Sequence, residues 1–387
     1  MDQLKATLLL FLTLIAFFPV CGPIVDAKGS VDYWPTEEWQ STIPEEQNMD
    51  SSKLDEMIDY FVEQHYAVDS VLVARNGYIV QEEYIGISED RTHPIYSCTK
   101  SVISALIGIA IQKGYLQDIN QKMEDFFPER NISNLDSWKQ AITIEHLLSM
   151  TAGLSWNEGI SYYSSQNSYT QLTRSNDWVQ FVLDRPMTSE PGTIWNYNSG
   201  GSHLLSVILD LTTGINTLAF AREHLFNALG ISEVEWSTDP QGFYFGGSQM
   251  RLKTRDLAKF GYLYLNNGTW DGEQIVPKEW VISSTKKYIG LNEYVEYGYQ
   301  WWIYPQLDAY LAVGWGGQRI FVIPKYDLVV VFTGTMGENV VSYYQMIADY
   351  VIPAIESYKP ALFPIIFTFA GLVVVVYFKK KRAKIRA

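Results

Sequence analysis

An apolar run that begins at a lysine limits what this chain can fold into more than any other stretch. Residues 100–112 (KSVISALIGIAIQ) are apolar on almost every helical face, so the helix that they predict has to be buried. Gly114 follows and suits the end of that helix. Ser97 precedes Lys100 by three residues, and residues three apart lie on one helix face. The sequence therefore predicts a buried helix whose first turn places a hydroxyl beside an amine.

Strand patterns lie on both sides of a mainly helical middle. Residues 71–75 and 78–82 flank Asn76-Gly77, a strong β-hairpin signal. Residues 118–234 read mainly as helices and form a predicted helical subdomain. Further strands are predicted at 297–303, 318–323 and 328–333, and helices at 51–65, 144–150, 177–183, 203–211, 217–229, 254–266 and 277–284. This order predicts a mixed α/β (α+β) fold in which a sheet carries a helical insertion.

The two ends of the chain predict targeting segments. Residues 1–27 hold a 15-residue apolar run behind Lys5 and predict a signal peptide. Residues 361–378 contain no charge and would reach about 27 Å as a helix, enough to span a bilayer. Residues 379–387 carry six basic side chains and predict a cytoplasmic tail. The sequence therefore predicts a single-pass cell-membrane protein with an extracytoplasmic catalytic domain at 28–357.

The charge balance excludes one class of partner. The net charge of −14 includes the six cations of the tail, so residues 1–378 carry −20. Nucleic acid needs a basic surface, and none is expected here. The five histidines and two cysteines form no recognised metal motif, and no phosphate-binding glycine loop occurs, so we expect neither metal nor cofactor.

The Ser-x-x-Lys spacing alone does not identify a nucleophile. It occurs at Ser97, and again at Ser283 and Ser284, where the neighbouring lysines suit a solvated surface. Only Ser97 opens a buried helix, where desolvation would lower the pKa of Lys100 as a base requires. The alternative is that Ser97 caps the helix and Lys100 extends to solvent. From this motif by itself the two interpretations are about equal.

Four motifs, of which the one at Ser97 is the first, resemble those of one family of enzymes. They are Ser97-Cys98-Thr99-Lys100, the segment 143–154 (TIEHLLSMTAGL), Tyr197-Asn198-Ser199 after Pro191-Gly192, and Trp315-Gly316-Gly317-Gln318. In order and spacing they resemble the serine β-lactamase-like family, which includes class C β-lactamases, DD-peptidases, esterases and 6-aminohexanoate-oligomer hydrolases. The resemblance covers nearly all of residues 50–350. It implies a β-lactamase/transpeptidase-like antiparallel sheet flanked by helices.

The resemblance also implies roles for individual residues. Ser97 would be the nucleophile that forms an acyl-enzyme, and Lys100 and Tyr197 would share proton transfer. A nearby ammonium would favour the phenolate of Tyr197. The backbone N–H groups of Ser97 and Gln318 would form the oxyanion hole. Cys98 could be a reactive thiol at a helix N-terminus. Helix geometry instead predicts that it faces away from the pocket as a small buried hydrophobe.

Two departures from the family pattern bear on the substrate. Asn198 follows Tyr197 directly and Ser199 takes the position where the family places asparagine. Trp315 stands where β-lactamases have a lysine that attracts the substrate carboxylate, so efficient penicillin hydrolysis is not expected. The candidate substrate contacts are Asn198, Ser199, Trp315, Gly316 and Gly317.

The sequence thus predicts a membrane-anchored serine hydrolase that cleaves a small ester or amide, or a peptide. The alternatives are a non-hydrolytic penicillin- or peptide-binding module, and a true DD-peptidase or β-lactamase.

Overall fold

A computed structural model of the chain describes residues 33–335 and 341–359. The predicted signal peptide, membrane span and basic tail lie outside these residues and stay predictions. Within the described part, no one helix is both long and apolar enough to cross a bilayer. The segments Ser199–Thr213 and Thr217–Phe226 meet that test only as a pair, with a bend of 80° between them.

An eight-stranded antiparallel sheet forms the centre of the structure. The strands of the described residues are β1 (Val68–Arg75), β2 (Tyr78–Tyr84), β3 (His93–Pro94), β4 (Glu235–Trp236), β5 (Met250–Leu252), β6 (Thr269–Trp270), β7 (Glu273–Gln274), β8 (Ile289–Gly290), β9 (Glu296–Tyr297), β10 (Trp302–Tyr304), β11 (Ala309–Val313), β12 (Arg319–Ile323) and β13 (Leu328–Gly334). The order in the large sheet is β2-β1-β13-β12-β11-β10-β9-β8, so the first and last strands of the described residues pair in its interior. The predicted antiparallel sheet is confirmed.

Helices cover both faces of this sheet and build the predicted helical region. They are α1 (Ser51–Glu63), α2 (Thr99–Gln112), α3 (Ile144–Leu148), α4 (Ser168–Arg174), α5 (Trp178–Leu183), α6 (Ser199–Thr213), α7 (Thr217–Ala221), α8 (Thr254–Leu265), α9 (Lys278–Ser284), α10 (Tyr343–Met346) and α11 (Ile352–Glu356). Helix α1 and the C-terminal helices share one apolar core with the sheet, and α8 packs against β12 and β13.

The hairpin predicted from Asn76-Gly77 is present, and its strands are longer than predicted. Asn76 (φ 52°) and Gly77 (φ 85°) both occupy the left-handed region that a two-residue hairpin turn requires. Strands β1 and β2 extend away from this turn in antiparallel register. Residues 68–74 are buried because β1 lies inside the sheet with helices on both faces.

One predicted strand is wrong, and strand β11 and the short strands β3 to β8 were not predicted. The segment 297–303 is divided between β9 and β10 by a turn in which Gln300 has a φ of 63°. The side chain of Gln300 donates to the carbonyl oxygens of Leu147 and Leu148 at 3.0 and 2.9 Å, which satisfies the end of α3. Strand β11 was not predicted because a five-residue apolar run is equally compatible with a helix and with a strand.

Helix α2 is buried on all sides, as its sequence predicts. Residues 99–110 are all buried, and the helix packs against α6 and α9. Gly108 makes the contact with α9 possible, since a Cβ at this position would lie 2.3 Å from Trp280 Cγ. The position of α2 therefore depends on the absence of one side chain.

Gly108→Val should destabilise the protein by about 1–3 kcal/mol or more, because the added carbons overlap the Trp280 ring in a packed interior. Chemical denaturation of the purified protein measures this change. Gly159→Val is the matched control, since a Cβ there meets no atom within 4 Å. Equal stability of the two variants would contradict the packing described.

Candidate active site

A strained turn presents Ser97 at the start of helix α2. Tyr96–Cys98 form a single 3₁₀ turn that leads directly into the helix. Tyr96 has a φ of 45°, a conformation that costs free energy for a residue with a side chain. The Thr99 hydroxyl donates to the Tyr96 carbonyl oxygen at 2.6 Å and holds this turn. The backbone around Ser97 is therefore fixed in an unusual conformation.

Lys100 lies one helical turn beyond Ser97 and is 1% exposed. Its Nζ donates to Ser97 Oγ at 3.0 Å, to Ser199 Oγ at 2.9 Å and to the Gly247 carbonyl oxygen at 2.6 Å. These are three acceptors for the three N–H groups of an ammonium. The side chain does not extend to solvent, so the alternative in which Ser97 only caps a helix does not describe this lysine.

Burial changes the acidity of Lys100. Desolvation lowers the pKa of Lys100 to about 8, against an opposing effect of the Glu158 carboxylate. The neutral amine is therefore a larger fraction near neutral pH than it is for a lysine in water. A neutral amine 3.0 Å from a serine hydroxyl can accept its proton.

Tyr197 lies beside the same lysine, but its acidity differs from the expectation. Lys100 Nζ is 4.8 Å from the centroid of the Tyr197 ring. Burial raises the pKa of Tyr197 well above its ordinary value, the charges of Tyr297 and Glu158 raise it further, and hydrogen bonding to Ser97 offsets only part of the rise. The expected phenolate is therefore disfavoured, because the low-polarity surroundings outweigh the nearby ammonium. A protonated Tyr197 is suited to donate a proton.

Glu158 belongs to this group of residues, and the sequence did not indicate it. It is 7% exposed and accepts hydrogen bonds from the Ser199 hydroxyl at 2.6 Å and the Ser199 backbone N–H at 2.9 Å. Trp156 Nε1 and the Tyr162 hydroxyl donate to it as well, at 2.7 and 3.1 Å. The carboxylate thus acts on Lys100 through Ser199. No local pattern signals this, since Glu158 precedes Ser199 by 41 residues.

The Trp315–Gly317 turn forms the opposite wall of the site. Gly316 and Gly317 have φ of 75° and 103°, and a Cβ on Gly317 would lie 2.3 Å from the Tyr343 hydroxyl oxygen. Gln318 then fixes the turn to β13, because its Nε2 donates to the carbonyl oxygens of Trp315 and Gly334 at 3.0 and 2.6 Å. The backbone of Gln318, the predicted oxyanion donor, is thereby held in place.

Two connected pockets meet at Ser97. The larger, of about 300 Å³, is lined by Ala67, Ser97, Tyr162, Tyr197, Trp302, Val313, Gly314, Trp315, Gly316, Gly317, Arg319, Thr335, Val341 and Tyr343. The smaller, of about 220 Å³, is lined by Tyr96, Ser97, Glu158, Tyr162, Tyr163, Tyr169, Ser248 and Trp315. Tyr162 and Trp315 line both pockets, with ring centroids 6.3 Å apart. The candidate nucleophile therefore lies between two compartments that share the aromatic side chains of Tyr162 and Trp315.

The five predicted substrate contacts divide into two groups. Trp315, Gly316 and Gly317 line the larger pocket. Asn198 and Ser199 are buried and line neither pocket. Asn198 caps helix α6 by accepting from the Gly201 backbone N–H at 2.9 Å, and Ser199 joins Lys100 to Glu158. Both residues support the site from behind its wall and do not face the pockets.

The other Ser-x-x-Lys matches do not form a comparable pair. Lys286 and Lys287 are exposed, as expected, and Lys287 pairs with Glu296 at 2.8 Å. Ser284 is fully buried, contrary to the surface location expected for it, because it belongs to the packed side of α9. Neither serine is hydrogen-bonded to a lysine among the described residues.

Cys98 is buried, as expected, and burial raises the pKa of its thiol to about 12. It is therefore not a reactive thiolate. His203 forms a fully buried pair with Asp239 at 2.9 Å, which is a structural contact. In residues 33–335 and 341–359, no group of three or more His, Cys, Asp or Glu residues could hold a metal ion.

Comparison with known proteins identifies the family. The family model described as "Beta-lactamase" matches residues 54–341, which is most of the chain. The chain therefore belongs to the beta-lactamase family. It is 23% identical to the 6-aminohexanoate-dimer hydrolase of Paenarthrobacter ureafaciens over 288 residues, which cover 68% of this chain and 71% of that enzyme.

Solved structures share the fold. A putative 6-aminohexanoate-dimer hydrolase from Bacillus anthracis superposes with a TM-score of 0.69 at 22% identity, over 83% of this chain and 87% of that one. EstCE1, a hydrolase with promiscuous acyltransferase activity, superposes with a TM-score of 0.66 at 16% identity, over 79% and 98% of the two chains. At these identities the likeness shows the mixed α/β fold of the family.

The pKa of Lys100 makes the pH dependence of serine acylation a test of this geometry. If the neutral amine accepts the proton of Ser97, the rate of acylation should rise with pH and level off above a midpoint near 8. Glu158→Gln should move this midpoint to lower pH, because the carboxylate favours the ammonium form. The measurement is the pH profile of the rate at which an activated ester acylates the protein.

Glu145→Gln is the control for that experiment. Glu145 accepts a hydrogen bond from the Tyr299 hydroxyl and has no resolved effect on the pKa of Lys100. Its midpoint should match that of the wild type. An unchanged midpoint in Glu158→Gln would show that the carboxylate does not act on the lysine.

Proposed function

We propose that this protein is a serine hydrolase that cleaves a small ester or amide through an acyl-enzyme on Ser97. The observation that carries the proposal is a buried lysine amine 3.0 Å from a serine hydroxyl that opens into two pockets. Lysines are seldom fully buried, and one with a lowered pKa beside a pocket is a candidate catalytic base.

Acylation begins when Ser97 Oγ attacks the substrate carbonyl carbon and its proton passes to the neutral amine of Lys100. The backbone N–H groups of Ser97 and Gln318 stabilise the oxyanion of the tetrahedral intermediate. The bond to the leaving group then breaks, and the protonated Tyr197 donates its proton to the departing oxygen or nitrogen. The new ammonium of Lys100 returns a proton to Tyr197, so the protons balance.

Deacylation follows the same path with water as the nucleophile. Water adds to the acyl carbon and loses a proton to the base, Ser97 Oγ leaves and regains its proton, and a carboxylic acid is released. Lys100 and Tyr197 hold opposite tasks because burial acts on them in opposite senses, lowering the pKa of an amine and raising the pKa of a phenol.

Esters and linear amides fit the site better than penicillins. Trp315 provides an indole where a β-lactamase would have a cation, and the relatives described above include 6-aminohexanoate-dimer hydrolases and a hydrolase with promiscuous acyltransferase activity. We further propose that the enzyme is anchored at the cell membrane by residues 361–378, with its catalytic domain extracytoplasmic. The apolar segments at residues 6–20 and 361–378, and the basic tail after the second, support this topology.

Ser97→Ala should abolish covalent labelling by a fluorophosphonate probe, because no other hydroxyl in the site is paired with the lysine and faces a pocket. In-gel fluorescence of the labelled protein measures this. Ser104→Ala is a matched control on the same helix, since Ser104 is buried and its Oγ has no hydrogen-bond partner. Labelling of Ser97→Ala at the wild-type level would overturn the proposed nucleophile.

Tyr197→Phe should lower kcat for ester hydrolysis by about a hundredfold or more, because the proton donor to the leaving group is removed. The control is Tyr262→Phe, a buried tyrosine packed against Trp34 and Trp39 away from the pockets. Steady-state turnover of simple alkyl esters, whose alkoxide leaving groups need a proton, reports both. Near-normal kcat in Tyr197→Phe would mean that Lys100 carries both proton transfers.

A further inference from the structure

The larger pocket lies at one end of the large sheet, which we call the pocket end. Strands β11 and β12 are joined there by the Trp315–Gly317 turn. Strand β13 ends beside this turn, since the Gln318 side chain donates to the Gly334 carbonyl oxygen at 2.6 Å. Strand β1 begins at the same end, since Val68 pairs with Gly334. Each of these four strands places a terminal residue, or the residue next to it, in the pocket lining.

Three hairpin turns occupy the opposite end of the sheet, which we call the turn end. They lie at Asn76-Gly77 (β1 to β2), Pro305–Leu307 (β10 to β11) and Pro324–Tyr326 (β12 to β13). The first and third turns touch, because the Asn76 N–H donates to the Asp327 carbonyl oxygen at 3.0 Å. Strand β13 runs from one end to the other in seven residues, which span about 20 Å. The pockets and the turns are therefore about one strand length apart.

The last helical segment of the described chain runs from the pocket end to the turn end. It comprises α10, a π-helical turn at Ile347–Val351 and α11. Tyr343, at its start, lines the larger pocket, and Glu356, at its end, accepts a hydrogen bond from the Tyr326 hydroxyl. Its fourteen residues rise about 20 Å, in agreement with the length of β13. The chain therefore continues towards residues 361–378 from the turn end.

The first described residue lies at the same end. The Tyr33 hydroxyl donates to the Gly77 carbonyl oxygen at 2.6 Å, and the rings of Tyr33 and Tyr78 are 5.3 Å apart. Apolar residues 6–20 precede Tyr33 in the chain, and apolar residues 361–378 follow α11. Both connections to the apolar segments therefore start at the turn end, and neither starts beside the pockets.

We propose that the turn end of the sheet faces the bilayer and that the pockets at Ser97 lie on the far side, about 20 Å further out. The preferred substrates are then esters or amides that reach the site from the aqueous phase, and not lipids of the membrane that holds the protein. This inference rests on the proposed function, because it takes residues 361–378 as the membrane anchor.

The length of the connection decides between the two ends of the sheet. Only residues 357–360 separate α11 from the apolar segment, and four residues reach at most about 14 Å. Placing the pocket end against the bilayer would require this connection to run back along the whole sheet, about 20 Å. The connection is too short for that arrangement, whereas it allows the turns to lie beside the lipid headgroups.

The experiment measures how closely each end of the sheet approaches lipid. The full chain, with Cys21→Ser, is reconstituted in phosphatidylcholine vesicles in which some headgroups carry a nitroxide, which quenches a fluorophore only on close approach. The fluorophore is attached through Lys325→Cys, on an exposed turn, or through Tyr163→Cys, whose side chain is 87% exposed beside the smaller pocket. Cys98 is buried, and the parent without an added cysteine measures any labelling of it.

The label at position 325 should lose fluorescence in the nitroxide vesicles, and the label at position 163 should match its value in vesicles without nitroxide. Gln306→Cys is the matched variant, because Gln306 is exposed on a second turn of the same end and its label should also be quenched. Equal quenching at 163 and 325, as in a domain that lies on its side, would overturn the proposal, and so would stronger quenching at 163.

A pair of lipid substrates tests the consequence for catalysis. One lipid carries a hexanoate ester directly on its headgroup, and the other carries the same ester on a poly(ethylene glycol) spacer longer than the sheet. The reconstituted protein should release hexanoate from the second lipid and lose most of that rate on the first. Equal rates on the two lipids would contradict a site held away from the bilayer.

The quenching measurement keeps this test separate from that of the hydrolase, because it needs no turnover. Quenching at 325 and 306 but not at 163 supports the orientation even if Ser97 is not a nucleophile. Failure of the full chain to float with the vesicles would remove the anchor and this orientation together, and would leave the hydrolase.

Discussion

The buried amine of Lys100 is the interaction on which the site depends. It joins α2, the start of α6 and the backbone at Gly247, three parts of the chain that lie far apart in sequence. Removing an ammonium from water costs several kcal/mol, and three hydrogen bonds offset only part of that cost. The cost that remains lowers the pKa of Lys100 to about 8. The contact that holds the site together is thus also the contact that prepares its base.

Glu158 moderates this effect without touching the lysine. Its charge reaches Lys100 through the Ser199 hydroxyl, which donates to the carboxylate and accepts from the amine. The same charge raises the pKa of Tyr197. One carboxylate therefore keeps the amine from losing its proton too easily and keeps the phenol protonated. The base and the acid are adjusted together by a residue that lines only the smaller pocket.

Local patterns in the sequence predicted the parts of the fold whose conformation is determined by residues close together in the chain. The Asn76-Gly77 turn fixed the first hairpin, and the unbroken apolar character of residues 100–112 required a buried helix. The motif order around Ser97, Tyr197 and Trp315 indicated the residues that the fold brings together. Their assignment as catalytic groups remains a prediction that the experiments above address.

The features that the sequence could not provide depend on contacts between distant residues. Gln300 interrupts a strand-like segment because its side chain is needed at the end of α3, more than 150 residues earlier. Glu158 and Ser199 become partners only after the helical region folds. The pKa of Tyr197 is raised because the phenol is buried. The direction of this shift could not be predicted from the nearby lysine, which favours the opposite direction. Asn198 and Ser199 likewise lie behind the wall of the site, and the spacing of their motif alone did not indicate this.

The pairing of β1 with β13 has a consequence for how the chain reaches its folded state. Ser70, on β1, shares hydroxyl contacts with Thr333 of β13 at 2.6 Å and with Thr254 of α8 at 2.8 Å. Strand β1 precedes Ser97 in the chain, but its partner, strand β13, is synthesised some 260 residues after it. Contacts so distant in sequence form slowly, and the unpaired edge of β1 is exposed until they form. During synthesis, the pocket beside Ser97 therefore cannot form until strand β13 has been made.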